Sequence, residues 1–185
     1  MRAAPFVAAL MALGLGWFVA RSARVASGEE GATASLVELA QSWLEETMDD
    51  LYRKWGAVYA VDWRLVKAIA QHESGENPAA VNPRDNESLG LMQVLCRPDG
   101  QGGCANRLNV EGWSEATRER LLEPDFNVQI GVQILAWNLK TFGFPKGIAV
   151  YNAWDQRDAP VAGPFKNQGY VDDVLRRARL LGLEA

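Results

Sequence analysis

Asp62-Trp-Arg-Leu-Val-Lys-Ala-Ile-Ala-Gln-His-Glu-Ser-Gly75, followed after a polar stretch by Gly90-Leu-Met-Gln93, decides the fold of this 185-residue chain. Trp63, Val66, Ile69 and Ala70 recur at helical spacing, and Leu65 and Ala68 widen the stripe until little of the circumference is polar. A helix apolar on most sides belongs in the middle of a domain. Asp62 is suited to cap its start, accepting an N–H of the first turn that has no partner within the helix. Gly75 and Asn77-Pro78 end it. Glu73 therefore stands at the mouth of a buried helix, where ionisation is costly and the carboxyl pKa is raised. Such a group is suited to giving a proton to a leaving oxygen near neutral pH.

Outward from this helix, composition narrows the class. The length suits one catalytic domain with a real hydrophobic core. A formal net charge of −4 with scattered Lys and Arg gives no basic stripe, so nucleic acid is not an expected partner. With one histidine and two cysteines, a zinc site lacks ligands, and neither metal nor cofactor is expected. Cys96 and Cys104 lie in one Gly-rich loop, Cys-Arg-Pro-Asp-Gly-Gln-Gly-Gly-Cys, which reads as an insertion closing on itself. They are the disulfide candidate for a domain outside the cytoplasm, two free thiols being the other reading.

Ala3 to Ala20 is an uncharged apolar run with Arg2 before it and Arg21 and Arg24 after it. As a helix it spans roughly 27 Å, about the thickness of a bilayer core. Its length and the arginines that follow at once favour an uncleaved anchor over a cleaved signal peptide. The division expected is 1–24 anchor or signal segment, 25–34 linker, and 35–185 catalytic domain. Ser35-Leu-Val-Glu38 fits a capping box opening a helix whose apolar face runs from Leu36 to Trp55. Pro78 to Ser88 reads as loop. Trp113 to Leu122 reads as a short helix capped by Ser114, and Pro124-Asp125 opens a core helix that Gly143 stops, with Trp137 taken as packing. Lys146 to Trp154 and an amphipathic helix over Gln168 to Leu181 complete a mainly α chain.

Three of these stretches form an ordered set: Glu73-Ser74, Gly90-Leu91-Met92-Gln93 and Ala149-Val150-Tyr151-Asn152-Ala153. Together they resemble the soluble lytic transglycosylase family, over roughly Leu51 to Leu180. The resemblance implies a goose-type-lysozyme-like (SLT) fold behind the N-terminal hydrophobic anchor helix, and cleavage of peptidoglycan glycan strands. It implies Glu73 as the lone acid and then base, in a reaction that leaves 1,6-anhydromuramyl ends. By the same resemblance Ser74 positions Glu73 or the muramyl group, and Gly90 lets backbone approach the sugar. Met92 and Gln93 line the groove, Tyr151 hydrogen-bonds near the carboxylate, and Asn152 binds an N-acetyl group. Tyr170 matches a tyrosine of the family's last helix. Two departures stand out: Asn167-Gln168 replaces a frequent Glu-Thr, and Trp154 stands where the third motif commonly ends in Gly.

Glycosidic cleavage usually takes two carboxylates. Glu76, Asp85 and Glu87 are the further candidates, and all read as solvated loop charges. A lysozyme-like muramidase using water and a non-catalytic wall-binding assembly subunit are the alternative functions; the intact Glu73-Ser74 pair disfavours the second. With no wall-binding repeats after the domain, the expected setting is a component of a phage particle or of a secretion or conjugation apparatus. There the domain would face the periplasm, tethered by residues 3–20, or ride on a virion; cleavage of the segment would make it secreted.

Overall fold

The computed structural model describes residues 48–105 and 110–184. The expected anchor, the linker and the capping box at Ser35 lie outside the described residues. Among the described residues, no helix is long and apolar enough to cross a membrane.

The described part of helix α1 spans 48–59 and sets Tyr52 wholly inside. Helix α2, Trp63–Glu73, starts as the sequence indicates: Asp62 Oδ1 accepts the N–H of Arg64 at 2.8 Å. Leu65, Val66, Ala68, Ile69 and Ala70 are buried, so the helix runs through the core. It ends where the chain turns left-handed at Gly75 and Glu76, both at φ 62, with the Glu76 N–H reaching back to Ala70 O at 3.3 Å. Lys67 ties α2 to α1 through Asp49 at 2.5 Å.

Ser88–Leu89 (β1) and Val94–Leu95 (β2) form a short antiparallel hairpin, with Ser88 opposite Leu95 and Leu89 opposite Val94. Gly90-Leu-Met-Gln93 is its loop. The 3₁₀ turns Trp113–Glu115 and Arg120–Leu122 follow. The single helix expected over Trp113 to Leu122 is thus broken in two, and Gly112, not Ser114, stands at its start. The cause is local competition: Ala116 O accepts the Cys104 N–H at 3.1 Å, and Thr117 Oγ1 accepts that of Arg120 at 3.2 Å.

Helix α3, Pro124–Phe142, has Pro at its first position and Gly143 at its end, as expected. Helix α4, Lys146–Asn152, packs on α3 and leads into a 3₁₀ turn at Trp154–Asp158. Helix α5, Gln168–Leu180, packs on α2 through Val171, Val174 and Ala178. The described chain is mainly helical, and its core lies between α2, α3, α4 and α5.

Cys96 and Cys104 are joined in a disulfide, with Cα atoms 4.8 Å apart and a sequence separation of 8. Cys96 is fully buried against the core, whereas the loop between them is held by Asp99, which accepts the N–H groups of Gln101 and Gly103 at 2.7 and 2.9 Å. Closing so short a loop stabilises by about 2–3 kcal/mol through loop-closure entropy. A Cys96→Ser, Cys104→Ser double variant is therefore expected to unfold at lower urea concentration than the oxidised protein. Unchanged midpoints would contradict this.

Candidate active site

Four segments meet around Glu73: the end of α2, the hairpin loop, the end of α4 and the start of α5. Glu73 is the last residue of α2, and its Oε1 accepts a hydrogen bond from the Tyr170 hydroxyl at 2.8 Å. Burial pushes the Glu73 pKa up, in the direction expected from its place on a core helix. The hydrogen bond from Tyr170, the neighbouring His72 and the hydrogen bond from Asn152 oppose that rise without reversing it. Burial beside Glu73 raises the phenols of Tyr151 and Tyr170 well above their ordinary value, so both remain protonated donors at neutral pH.

The hairpin loop is bonded from three sides. Ser74 Oγ donates to Leu91 O at 2.8 Å, fastening the end of α2 to the loop. The Tyr151 hydroxyl donates to Met92 O at 2.8 Å, fastening α4. From α3, the wholly buried Asn127 donates to Leu89 O and Leu121 O at 2.8 and 2.7 Å and accepts the Met92 N–H at 2.8 Å. Gln93, itself at φ 47, closes the loop by donating to Gly90 O at 2.9 Å and Ala80 O at 3.3 Å.

This geometry corrects several expected contacts. Tyr170 holds the Glu73 carboxyl, while Tyr151 bonds to the adjoining loop. Met92 does not line a groove: its side chain is fully buried against α3, where a Cβ on Gly131 would come within 2.6 Å of its sulfur. Gly90 is buried too, at φ 72, and a Cβ there would meet Asn127 Nδ2 at 2.3 Å and Leu121 O at 2.5 Å. The close approach of Asn127 and Leu121 is reason enough for glycine there. Asn152 is exposed, and its Oδ1 accepts from Asn167 Nδ2 at 3.0 Å, which leaves its amide N–H groups free to face Glu73 and a ligand. Of the loop carboxylates, Asp85 closes its own turn by accepting from Glu87 N, Ser88 N and Ser88 Oγ, and these bonds lower its pKa. Glu76 is held by Gln71 Nε2 at 3.1 Å.

Three residues to which the sequence assigned no role in the site matter here. Asn127 stands amid an apolar helix face one turn before Gly131, and a polar residue buried at such a position must spend its amide on backbone partners. Asn167, at the Glu-Thr departure, also donates to Ala149 O at 2.9 Å, joining α5 to α4. His72 packs edge-on against Tyr170 at 4.7 Å, and its Nδ1 lies 2.7 Å from Asp173, a carboxylate that also takes Arg177 and Arg176. Those partners hold the Asp173 pKa well below its usual range. The ionised Asp173 therefore fixes the proton on Nδ1 and orients the ring behind Tyr170.

The family model of the transglycosylase SLT domain matches residues 50–169. The membrane-bound lytic murein transglycosylase C of Sodalis glossinidius (strain morsitans) is 37% identical over 87 residues, which is 46% of this chain and 23% of that protein. The protein of the same name from Edwardsiella ictaluri (strain 93-146) is 36% identical over 87 residues, 47% of this chain and 23% of its own. The matched stretch thus spans less than a quarter of the length of these curated relatives.

Proposed function

The chain belongs to the transglycosylase SLT domain family, and from that premise we propose that it is a peptidoglycan lytic transglycosylase. It cleaves the β-1,4 bond between N-acetylmuramyl and N-acetylglucosaminyl residues without water. The observation that supports this reading is the Glu73 carboxyl group, held half-buried with a raised pKa against a neutral phenol donor.

Glu73, protonated, gives its proton to the glycosidic oxygen as the bond from that oxygen to the anomeric carbon breaks. The carboxylate formed is stabilised by the Tyr170 hydroxyl and the Asn152 amide. It then takes the proton of the muramyl 6-hydroxyl, whose oxygen bonds to the anomeric carbon and closes the 1,6-anhydro ring. Glu73 ends the cycle protonated. The nucleophile is tethered to the reacting centre, which supplies much of the advantage of proximity. Ser74 and Tyr151 act through backbone: they hold the hairpin loop against Glu73 and so fix the wall of the site.

Glu73 must start protonated, so activity falls as pH rises through its raised pKa. Tyr170→Phe removes a donor that stabilises the ionised form while conserving nearly all the buried volume. Its alkaline limb is expected to move to higher pH, and the pH profile of kcat/KM checks this; a limb moved to lower pH would contradict the assigned bond.

Residues 3–20 are part of the proposal as a tether holding the domain on the periplasmic side, with a phage particle or a secretion or conjugation apparatus as the wider setting. Full-length protein is expected to sediment with membranes and to resist salt and alkali, whereas a soluble form cleaved after the apolar run would remove the tether. Mass analysis of purified sacculi after digestion tests the activity: soluble muropeptides one water lighter than hydrolysis products support it, and no soluble product overturns it.

A further inference from the structure

Trp154 follows Asn152 by two residues and is 53% exposed. Trp137, expected as core packing, is 47% exposed at the surface of α3. The two indoles stack at 6.0 Å between centroids and 18° between planes. Phe142 meets both edge-on, at 5.7 Å from Trp137 and 6.0 Å from Trp154, and Lys146 Nζ lies 5.6 Å from the Phe142 ring. The result is a braced aromatic platform left in water, an arrangement that marks a contact surface.

We propose that the Trp137–Trp154 platform is a sugar-stacking subsite, receiving the apolar C–H face of a pyranose ring of the glycan strand bound at Glu73. The proposal rests on the function argued above and extends it to a second place on the strand. Continuity with the site carries it. Asn152 acts on the Glu73 carboxyl, and a two-residue step puts the Trp154 Cα within about 7.6 Å of the Asn152 Cα. That reach is comparable to one or two sugar units, so the platform lies within reach of a strand passing Asn152.

The chemistry fits as well. Aromatic faces carry partial negative charge and attract the weakly positive C–H groups of a sugar face. Near the platform lie groups suited to sugar hydroxyls: Asp155, Arg157 and Lys166 line an open hollow, and the Arg157 guanidinium is 5.5 Å from the Trp154 indole centroid. The two cations already have carboxylate partners, Arg157 with Asp158 at 3.7 Å and Lys166 with Asp155 at 2.9 Å. The charges of Asp155, Arg157, Asp158 and Lys166 beside Trp154 thus cancel, which suits a neutral sugar better than the anionic surface of a membrane.

The test uses the full-chain Glu73→Gln protein, which retains a bound strand uncut, and a soluble β-1,4-linked N-acetylglucosamine oligomer as the probe. Binding should change tryptophan fluorescence. Adding Trp154→Ala is expected to weaken affinity roughly 5–10-fold, the worth of one aromatic stack, with Trp137→Ala close behind and Trp154→Phe recovering part of the loss. In the otherwise wild-type protein, Trp154→Ala should raise KM on sacculi more than it lowers kcat. Unchanged circular dichroism and melting of each variant would tie these losses to the platform.

Oligomer affinity within twofold of the parent in both Ala variants overturns the subsite and leaves the proposed function standing. So does a variant that keeps oligomer affinity but loses binding to anionic vesicles or loses self-association. No oligomer or sacculus binding by any form would overturn subsite and function together. Trp-dependent binding with only hydrolytic products would overturn the function alone.

Discussion

Glu73→Gln is expected to lower the rate of glycan cleavage by roughly 10²–10⁴-fold, the loss that follows removal of general acid–base help, without loss of stability. The amide has the size of the carboxyl, and its oxygen can still accept from Tyr170, but it has no acidic proton to give. The stability effect has a definite sign. Burial raises the Glu73 pKa above its unfolded value, so the folded state holds this proton more tightly than the unfolded chain. As pH rises from the unfolded pKa through the folded one, the wild type loses stability that the Gln variant does not lose. The variant is thus expected to match the wild type in acid and to exceed it above the folded pKa. Urea unfolding across that range checks this, and an active variant, or one destabilised equally at every pH, would contradict the role.

The second large effect concerns the hairpin loop. Gly90→Ala places a residue with a Cβ at φ 72, costing about 1–3 kcal/mol in backbone strain. It also drives that Cβ into a buried amide and a carbonyl, adding a further roughly 1–3 kcal/mol of overpacking. Asn127→Ala acts on the same joint from the other side. It leaves the Met92 N–H and the carbonyls of Leu89 and Leu121 without their buried partner, at about 1–3 kcal/mol for each group left unsatisfied. Both variants should lower the urea midpoint sharply. The two residues share one set of contacts, so the double variant should lose less than the sum of the singles. Full additivity, or a Gly90→Ala protein as stable as wild type, would contradict the joint described here.

Much of this was legible in the sequence because it rests on local rules. The stripe from Trp63 to Ala70 announces a buried helix, Asp62 its cap, Gly75 and Gly143 two helix ends, and Pro124 a helix start. The place of Glu73, and with it the direction of its pKa shift, follows from the same pattern. What could not be read depends on contacts across the chain. A hairpin with two-residue strands has too little alternation to register, so Gly90 to Gln93 read as a bare tight segment. Its loop motif then suggested that Met92 lines the groove, whereas its side chain lies in the interior. Asn127 is the hidden partner: only the fold brings it to residues 35 and 38 positions away. Trp113 to Leu122 looked like one helix because local pattern omits the hydrogen bond Cys104 makes to Ala116 O. Trp137 looked like packing because helical spacing does not distinguish a core face from its exposed shoulder.

If one carboxyl group cleaves the glycan by internal attack, the nucleophile is the sugar's own oxygen. Digestion of purified sacculi in ¹⁸O-water, followed by mass analysis of the released muropeptides, tests it most directly. Internal attack leaves 1,6-anhydromuramyl ends free of label and one water lighter than hydrolysis products. New reducing ends carrying ¹⁸O would contradict it and make Glu73 the acid of a hydrolase.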